Sequence, residues 1–380
     1  MTSVLSVERL GMGPMPTDSP FLFAVHHLDK YPPGDKNMGP AASLRGHNIG
    51  ADFGHADGWS MYHGEVIPGF PKHPHRGFET VTIARQGYVD HTDSLGNGGR
   101  FGGGDVQWMT AGEGISHAEM FPLLDPRAEN VCELFQIWLN LPRRSKGAPP
   151  TFKMLWAEEI PKQTVPAEGG AGSVALTLYV GRFGEMAPPP PPPGHSYAAE
   201  AEAAVLVLST PPRRLNPRLG SGDRAWRAAH AFGPASRHTA ITLSAGAAWR
   251  LPAAAAGLHR SVYLYAGGRA TIGAKEVEGR KKVKVEAAAE VPIVNRGGAA
   301  LELLLLQGKD IGEPVVQHGP FVGNTRQDIM QAFQDYQATG FGEWPWPSDA
   351  HAFPRERQRF AQYADGKVDE RPMVAGKEEL

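Results

Sequence analysis

The feature that most constrains the fold of this chain is its density of turn-forming residues. The 380 residues include 46 glycines and 34 prolines, which separate short apolar runs along most of the sequence. Such spacing is typical of many short strands joined by loops and leaves little room for long helices. The sequence therefore predicts an all-β protein, and its length predicts two domains.

Two strand-rich blocks divide the chain, one from Phe21 to about Ala157 and one from Val174 to Gln307. In the run Val131–Leu139 both faces of the predicted strand are largely apolar, which indicates a buried strand with Cys132 as a small core residue. We expect an N-terminal domain at 1–165, a C-terminal domain at 174–312 with a Pro/Ala-rich insertion at 186–204, an arm with a helix at 313–348, and a polar tail at 349–380.

Two polar segments of the second block favour ordinary structural explanations. Pro188–Pro193 are consecutive prolines, which could dock a proline-recognising domain but are better explained as a solvated loop insertion. Arg280, Lys281, Lys282 and Lys284 alternate in part with valines, so a strand with one solvated face explains them better than an import or nucleic-acid signal does.

One clear helix is predicted near the C-terminus. Thr325 and Asp328 have the spacing of a capping box, and Gly340 suits the position after the last turn. The apolar stripe is expected to contain Ile329, Met330, Phe333 and Tyr336. The aromatic residues beyond it suggest that this arm packs back on a barrel, whereas the tail from residue 349 is expected to be loosely ordered.

Charge and cysteine content limit the expected partners and location. A net charge of −2 gives no strong field for direct nucleic-acid or membrane binding. No apolar run approaches the length of a membrane span or a secretion signal, and one cysteine fits a reducing compartment. We therefore expect a cytoplasmic or nuclear protein that is not secreted.

The chemistry is concentrated in two short motifs, His73-Pro74-His75 and His117-Ala118-Glu119. A spacing of two residues places both members of each pair on one face of a strand, so two neighbouring strands can direct four donors at one ion. Imidazole and carboxylate donors suit iron, manganese, cobalt, nickel, copper or zinc, and not calcium or magnesium. We predict a site with one divalent transition-metal ion and one or two open positions.

The residues around these motifs carry a family resemblance. Phe70–Thr82, Asp93–Asn97, Gly104–Met120 and, later, Glu313–Val322 with Asn324–Arg326 resemble the signatures of the pirin family in the same order. The resemblance implies a bicupin, with two antiparallel jelly-roll β-barrels and Fe²⁺ held only in the first. It assigns the metal to the positions of His73, His75, His117 and Glu119.

The resemblance leaves two smaller questions about ligands. In many other cupins a glutamate of the first motif binds the metal, and Glu79 lies near that position. We expect Glu119 to be the ligand because it shares a strand face with His117, and Glu79 to be a supporting acid or an alternative ligand. In the second barrel His259 has no companion histidine, so no metal is expected there.

The resemblance also implies an activity. Pirin-like proteins are similar to flavonol dioxygenases, which open quercetin with dioxygen and release carbon monoxide. Glu119 would then accept the proton of the flavonol hydroxyl. The apolar residues expected to line a pocket for this flat substrate are Phe70, Phe78, Trp108, Met109 and Met120. The alternative is an iron-dependent transcriptional co-regulator or redox-sensing protein that binds a protein partner without turnover.

Overall fold

A computed structural model of the chain describes residues 3–168, 173–186, 191–192, 203–209, 242–243, 246–299 and 301–373. Within these ranges the regular structure is almost entirely antiparallel strand, with one α-helix near the C-terminus. The all-β expectation from the turn-rich sequence is confirmed. Among the described residues, no helix is both long and apolar enough to cross a membrane.

The first half of the chain supplies ten strands. They are β1 (Val4–Arg9), β2 (Phe21–Tyr31), β3 (Gly69–His75), β4 (Phe78–Gln86), β5 (Tyr88–Asp93), β6 (Gly98–Gly102), β7 (Asp105–Thr110), β8 (Ile115–Met120), β9 (Asn130–Asn140) and, after a 3₁₀ turn at Arg143–Ser145, β10 (Thr151–Leu155).

The remaining elements complete the second barrel and the C-terminal arm. The strands are β11 (Lys162–Pro166), β12 (Ser173–Gly181), β13 (Ala204–Ser209), β14 (Thr242–Leu243), β15 (Ala248–Leu251), β16 (Leu258–Ala266), β17 (Arg269–Ile272), β18 (Lys275–Glu278), β19 (Lys281–Val285), β20 (Val291–Asn295), β21 (Leu301–Lys309), β22 (Val316–His318), β23 (Phe321–Gly323), β24 (Arg359–Gln362) and β25 (Val368–Arg371), with helix α1 (Arg326–Thr339) between β23 and β24.

The first barrel consists of two facing sheets. One has the order β10-β7-β4-β9-β2, and the other has the order β25-β24-β6-β5-β8-β3. The side chains between these sheets form the interior that contains the two motifs predicted to bind metal. The last two strands of the chain thus belong to the first barrel.

The second barrel also consists of two sheets. The larger has the order β1-β19-β16-β21-β13-β12-β11 with β14 added on β21, and the smaller has the order β15-β20-β17-β18. The N-terminal strand β1 pairs with β19, so residues 4–9 lie in the second barrel and not in the first, where the 1–165 boundary had placed them. Nothing in the sequence of an N-terminal strand indicates which distant sheet edge it will pair with.

The two barrels pack through the outer face of the five-stranded sheet of the first barrel and that of the larger sheet of the second. On β9, Phe135, Ile137 and Leu139 enter an apolar core shared with Tyr179 and Tyr263 of the second barrel. The opposite face of β9 sends Cys132 and Leu134 into the first barrel. The predicted two-faced strand is therefore confirmed, and both of its faces are buried because each belongs to a different core.

The basic cluster forms a strand, as predicted, but its polar face is not simply solvated. Lys282 is buried and its ammonium group lies 2.9 Å from a carboxylate oxygen of Asp18. Lys284 reaches the other Asp18 oxygen, also at 2.9 Å. The lysines therefore anchor the N-terminal segment. The predicted proline insertion lies mostly outside the described residues.

Helix α1 begins and ends as the sequence predicts. Thr325 and Asp328 form a reciprocal capping box, and Gly340 adopts the left-handed conformation after the last turn. The buried face differs from the predicted stripe, because Ile329 and Ala332 are buried while Met330 is 59% exposed. Phe333 is also partly exposed. The small side chain of Ala332 is part of the face that packs on the arm, which the apolar pattern alone did not indicate.

The segment from residue 349 is not a loose tail up to residue 373. Arg359 is buried, and its guanidinium lies 2.7 Å from the Asp105 carboxylate inside the first barrel. The buried Arg100 guanidinium donates to the main-chain carbonyls of Phe353, Pro354 and Arg357. The sequence of this segment is polar, but its Arg359 is paired inside the fold and its main chain binds the buried Arg100.

Candidate metal centre

Strands β3 and β8 bring the predicted imidazoles together in the first barrel. The two strands are antiparallel neighbours, and His73 lies directly opposite His117. The ring centroid of His117 lies 4.4 Å from that of His73 and 4.8 Å from that of His75. One nitrogen from each ring lies within 4.8 Å of the others. The spacing of two residues thus produces the shared face that the sequence predicted.

The ring nitrogens have few protein partners. His117 is fully buried, and neither of its nitrogens has a hydrogen-bond partner among the described residues. The same holds for both nitrogens of the buried His75. His73 uses Nδ1 on the Pro71 carbonyl at 2.8 Å, which leaves Nε2 as its ligand atom. Buried polar atoms without partners are costly, and a metal ion would satisfy them.

Burial also fixes the charge state of these rings. Burial lowers the pKa of His73 to about 4, against the opposing hydrogen bond to Pro71. Burial and then the neighbouring histidines hold the pKa of His117 well below its usual value. Burial does the same for the pKa of His75, although the Pro320 carbonyl, near it but not in good hydrogen-bond geometry, opposes the shift. All three rings are therefore neutral near pH 7, which is the form that binds metal.

Glu119 lies in the same barrel interior but is held by neutral neighbours. Its two carboxylate oxygens accept hydrogen bonds from the Thr82 hydroxyl at 2.8 Å and from the Gln136 amide at 2.6 Å. The carboxylate is not a member of the close three-histidine group. Burial raises its pKa, and the hydrogen bond from Thr82 opposes that shift. Glu119 is thus a buried acid beside the imidazole group, oriented by two donors.

Glu79 lies on the other face of its strand. Val81 and Ile83, at the same parity on β4, belong to the core between the barrels, whereas Thr82 faces Glu119. The Glu79 carboxylate accepts a hydrogen bond from Thr110 at 2.7 Å on that outer face. Strand alternation therefore excludes Glu79 as an alternative metal ligand.

The five predicted pocket residues also lie on different strand faces, and only some of them face the histidines. The ring of Phe70 lies 6.3 Å from that of His73, and the ring of Phe78 lies 5.1 Å from that of His75. Met109 is paired with Thr80 on the face of β4 that also carries Thr82. Trp108 instead enters the core between the barrels, and Met120 alternates with Glu119 onto the opposite face of β8. These last two residues do not line the centre.

Other residues around the centre were missed by the sequence reasoning. Gln136 and Trp138 follow Cys132 and Leu134 on the interior face of β9, and the Trp138 ring lies 5.2 Å from that of His75. A polar Gln136 within an apolar run was the available signal. His91 is a further buried imidazole, paired with Glu119 across β5 and β8. Nothing in its local sequence distinguishes it.

The C-terminal arm lies against the end of β3, the strand that carries His73 and His75. The Arg76 amide donates to the Pro320 carbonyl at 3.2 Å, and the Val322 amide donates to the Arg76 carbonyl at 3.0 Å. The Arg76 guanidinium also pairs with Asp335 of α1 at 2.5 Å. The arm therefore returns from the second barrel to the strand that carries His75, as predicted, without supplying a member of the histidine group.

Comparison with known proteins agrees with this architecture. The sequence profile of the Pirin family matches residues 38–139, and that of the Pirin C-terminal cupin domain matches residues 238–342. A Pseudomonas aeruginosa protein named "Putative quercetin 2,3-dioxygenase" is 34% identical over 274 residues, which cover 72% of this chain and 80% of that protein. Pirin of Rattus norvegicus is 30% identical over 284 residues, 74% of this chain and 81% of its own length.

A solved structure shows the same fold. The crystal structure of a quercetin 2,3-dioxygenase from Acinetobacter baumannii superposes with a TM-score of 0.62 and 24% identity. The match covers 90% of this chain and 99% of that one. The two-barrel arrangement with its C-terminal arm is therefore shared with that protein.

Proposed function

Because this chain belongs to the pirin family, we propose that it is a metal-dependent dioxygenase of the quercetin 2,3-dioxygenase type. The observation that carries the proposal is the group of three neutral imidazoles, with buried unpartnered nitrogens, inside the first barrel. Such a group has no evident structural use without an ion. Relatives named for quercetin dioxygenation supply the substrate class, a flavonol that reacts with dioxygen.

His73, His75 and His117 would hold one divalent transition-metal ion, with Glu119 as the fourth ligand. Iron is our first assignment, and manganese, cobalt, nickel, copper and zinc accept the same donors. When bound, the ion supplies a Lewis acid that lowers the pKa of a coordinated flavonol hydroxyl. The protein contributes neutral, preset imidazoles that need not lose protons before they bind the ion.

Glu119 is the proposed proton acceptor of the reaction. Its burial raises its pKa and so makes the carboxylate a stronger base than an exposed glutamate. Thr82 and Gln136 direct its two oxygens by hydrogen bonds. The same hydrogen bonds keep the carboxylate oriented when substrate enters, and the Gln136 amide is itself held by a hydrogen bond that its oxygen accepts from the Trp138 indole at 3.3 Å.

The proposed substrate entrance is the half-buried side of the barrel interior. Phe23, Phe70 and Trp138 are each partly exposed there, in contrast to the fully buried Phe78 and His117. Trp138 packs its ring 4.8 Å from that of Phe23 and 4.4 Å from that of Phe78. These aromatic faces suit a flat polycyclic substrate, which stacks on aromatic side chains.

Aerobic turnover tests the proposal. The protein loaded with Fe²⁺, and in parallel with Ni²⁺ or Mn²⁺, is incubated with quercetin, while flavonol absorbance and released carbon monoxide are followed. We expect loss of quercetin with one carbon monoxide released per flavonol consumed. His117→Ala should abolish both signals, whereas His318→Ala, on the exposed arm, should change neither.

The experiment also separates the enzyme from the regulator alternative. A protein whose barrel centre is fully loaded with each metal tried, yet which releases no carbon monoxide from quercetin or related flavonols, is not a dioxygenase of this type. That result would move the assignment to a metal-dependent binding protein. Turnover that persists unchanged in His117→Ala would place the reaction elsewhere in the chain.

A further inference from the structure

We propose that His47, His55 and Asp57 form a second transition-metal site, separate from the barrel centre. These residues belong to the segment between β2 and β3 and share no ligand with the histidine group of the barrel. One ligand atom from each lies within 4.8 Å of the others, the same limit that the barrel histidines satisfy. The site would take a borderline divalent ion such as Zn²⁺, Co²⁺, Ni²⁺ or Cu²⁺.

His47 supplies the strongest sign of a missing partner. Its side chain is 0% exposed, and its Nε2 atom has no hydrogen-bond partner among the described residues. Its ring stacks on Trp59 with centroids 4.1 Å apart, which prevents the imidazole from turning toward solvent. A buried imidazole nitrogen without a partner is expensive unless a ligand meets it.

Asp52 determines which His47 nitrogen is available. The Asp52 carboxylate lies 2.7 Å from Nδ1 of His47 and also accepts the Met61 amide at 2.7 Å. An ionised Asp52 makes Nδ1 the donor, so Nε2 carries the lone pair. Carboxylate, imidazole and ion in this order are the usual outer support of a histidine ligand.

His55 and Asp57 lie on the open side of Nε2. The His55 ring is stacked 3.8 Å from that of His47, and its Nδ1 lies 3.7 Å from an Asp57 oxygen. The same oxygen is 4.0 Å from Nε2 of His47. Tetrahedral ligands at about 2.0–2.1 Å from zinc lie roughly 3.3 Å apart, so rotation of the His55 ring and of the Asp57 carboxylate would close the site around the fixed His47. The Asp57 amide donates to Nδ1 of His55 at 3.3 Å, and ligation through Nδ1 would replace that hydrogen bond.

The exposure of Asp57 leaves room for such closure. The Asp57 side chain is 59% exposed and can rotate, whereas the Ser60 hydroxyl holds the backbone amides of Gly54 at 2.9 Å and His55 at 3.3 Å. Two nitrogens and one carboxylate leave a fourth tetrahedral position for water. Calcium and magnesium are excluded by the nitrogen donors.

Zinc stoichiometry in the full chain tests the proposal. Equilibrium dialysis against excess Zn²⁺ should give two ions per chain for the unmodified protein and one for His55→Ala. His318→Ala is the matched control and should keep both ions. His75→Ala, which disrupts the barrel centre, should still bind one ion, and His55→Ala in that background should remove it. Asp52→Asn should lower the affinity for the second ion by about tenfold or more.

A second measurement reports the place of binding and not only the count. Arg45 is exposed and close to His47 in sequence, so trypsin should cleave after it more slowly when zinc is present. The slowing should occur in the unmodified protein and in His75→Ala, and it should be absent in His55→Ala. One ion per chain in the unmodified protein, or a second ion and full protection in a folded His55→Ala variant, would overturn the proposal.

Discussion

At the scale of single residues, the environment of each imidazole decides its chemistry. His73, His75 and His117 are kept neutral by burial, so an ion does not compete with protons near pH 7. His26 is also buried, but its Nε2 lies 3.0 Å from the Glu133 carboxylate, which occupies it as a structural partner. Composition and spacing alone do not separate these two uses of histidine.

Replacing His75 with alanine should remove metal from the barrel centre. The change deletes one donor from a group whose remaining rings cannot fill the position, so we expect metal affinity to fall at least about tenfold. Elemental analysis after dialysis measures the bound metal in a His55→Ala background, which removes the proposed second site, with His318→Ala in the same background as the control. Full retention of one tightly held ion by a folded variant that carries both His55→Ala and His75→Ala would contradict the three-histidine assignment.

Two glutamine substitutions distinguish the two glutamates. Glu119→Gln removes the charge that faces the histidines, so metal affinity should fall about tenfold or more and turnover should be lost. Glu79→Gln acts on the outer strand face and keeps a side chain able to bond Thr110, so metal content and turnover should stay near the unmodified values. Titration with Fe²⁺ under anaerobic conditions compares them, and the opposite order of effects would refute the assignment.

At the scale of elements, alternation along the strands assigns every side chain near the site to a face. On β4, Thr82 faces Glu119 while Val81 and Ile83 face the second barrel. On β8, His117 and Glu119 share a face that Met120 does not. A change of register by one residue in β3 or β8 would turn the ligands outward, so pairing of these strands is a condition for the site.

The last two strands should contribute strongly to the stability of the first barrel. Ending the chain after residue 348 removes Arg359 and leaves Asp105 buried without that cation. Burial already raises the pKa of Asp105 to about 6 against the influence of Arg359. Loss of one partner from a buried pair costs about 3–5 kcal/mol.

Thermal unfolding of the truncated chain measures that cost. We expect a lower melting temperature and a lower free energy of unfolding than in the full chain. A chain that ends after Met373 keeps β24 and β25 and should unfold like the full chain, so it is the matched control. Equal melting temperatures for all three chains would mean that the terminal strands are only loosely attached.

At the scale of the whole molecule, a buried ionic network joins the two barrels. Arg85 of β4 pairs with Glu133 of β9 in the first barrel and with Glu302 of β21 in the second, the latter at 3.0 Å. Tyr265 accepts from Arg85 at 2.9 Å and donates to Glu302 at 2.7 Å. One guanidinium thus satisfies acids from both barrels, beside the apolar core that the barrels share.

This network predicts a stability change at acid pH. Burial alone would raise the pKa of Glu133, but Arg85 and His26 outweigh it and lower the pKa from 4.5 to about 2. A carboxyl whose pKa is lower in the folded state stabilises the protein above pH 4.5, and that contribution is lost as the pH falls toward 2. The shift corresponds to about 3 kcal/mol.

Urea unfolding of the unmodified protein and Glu133→Gln between pH 6 and pH 2.5 measures the contribution. The unmodified protein should have a larger free energy of unfolding than Glu133→Gln above pH 4.5. The difference between the two proteins should become smaller as the pH falls from 4.5 to 2.5. Glu129→Gln, on an exposed loop, is the control and should show no such narrowing. A difference that stays constant with pH would contradict the assigned ionisation of Glu133.

The sequence by itself determined the features that depend on short-range spacing. A spacing of two positions between paired ligands set the common face of His73 and His75, and the capping residues set both ends of helix α1. The apolar alternation in β9 indicated its two buried faces. Each of these follows from backbone periodicity, which local sequence encodes directly.

Only the tertiary structure decided which distant groups meet. The pairing of β1 with the second barrel, of Arg359 with Asp105 and of Glu119 with Thr82 and Gln136 joins residues far apart in the chain. The same packing decided which face of β4 and of β7 meets the histidines, and so left Thr82 near them and Glu79 and Trp108 on the far side. Such contacts are selected by the summed burial and pairing of whole sheets, so no local pattern identifies them before the sheets are assembled.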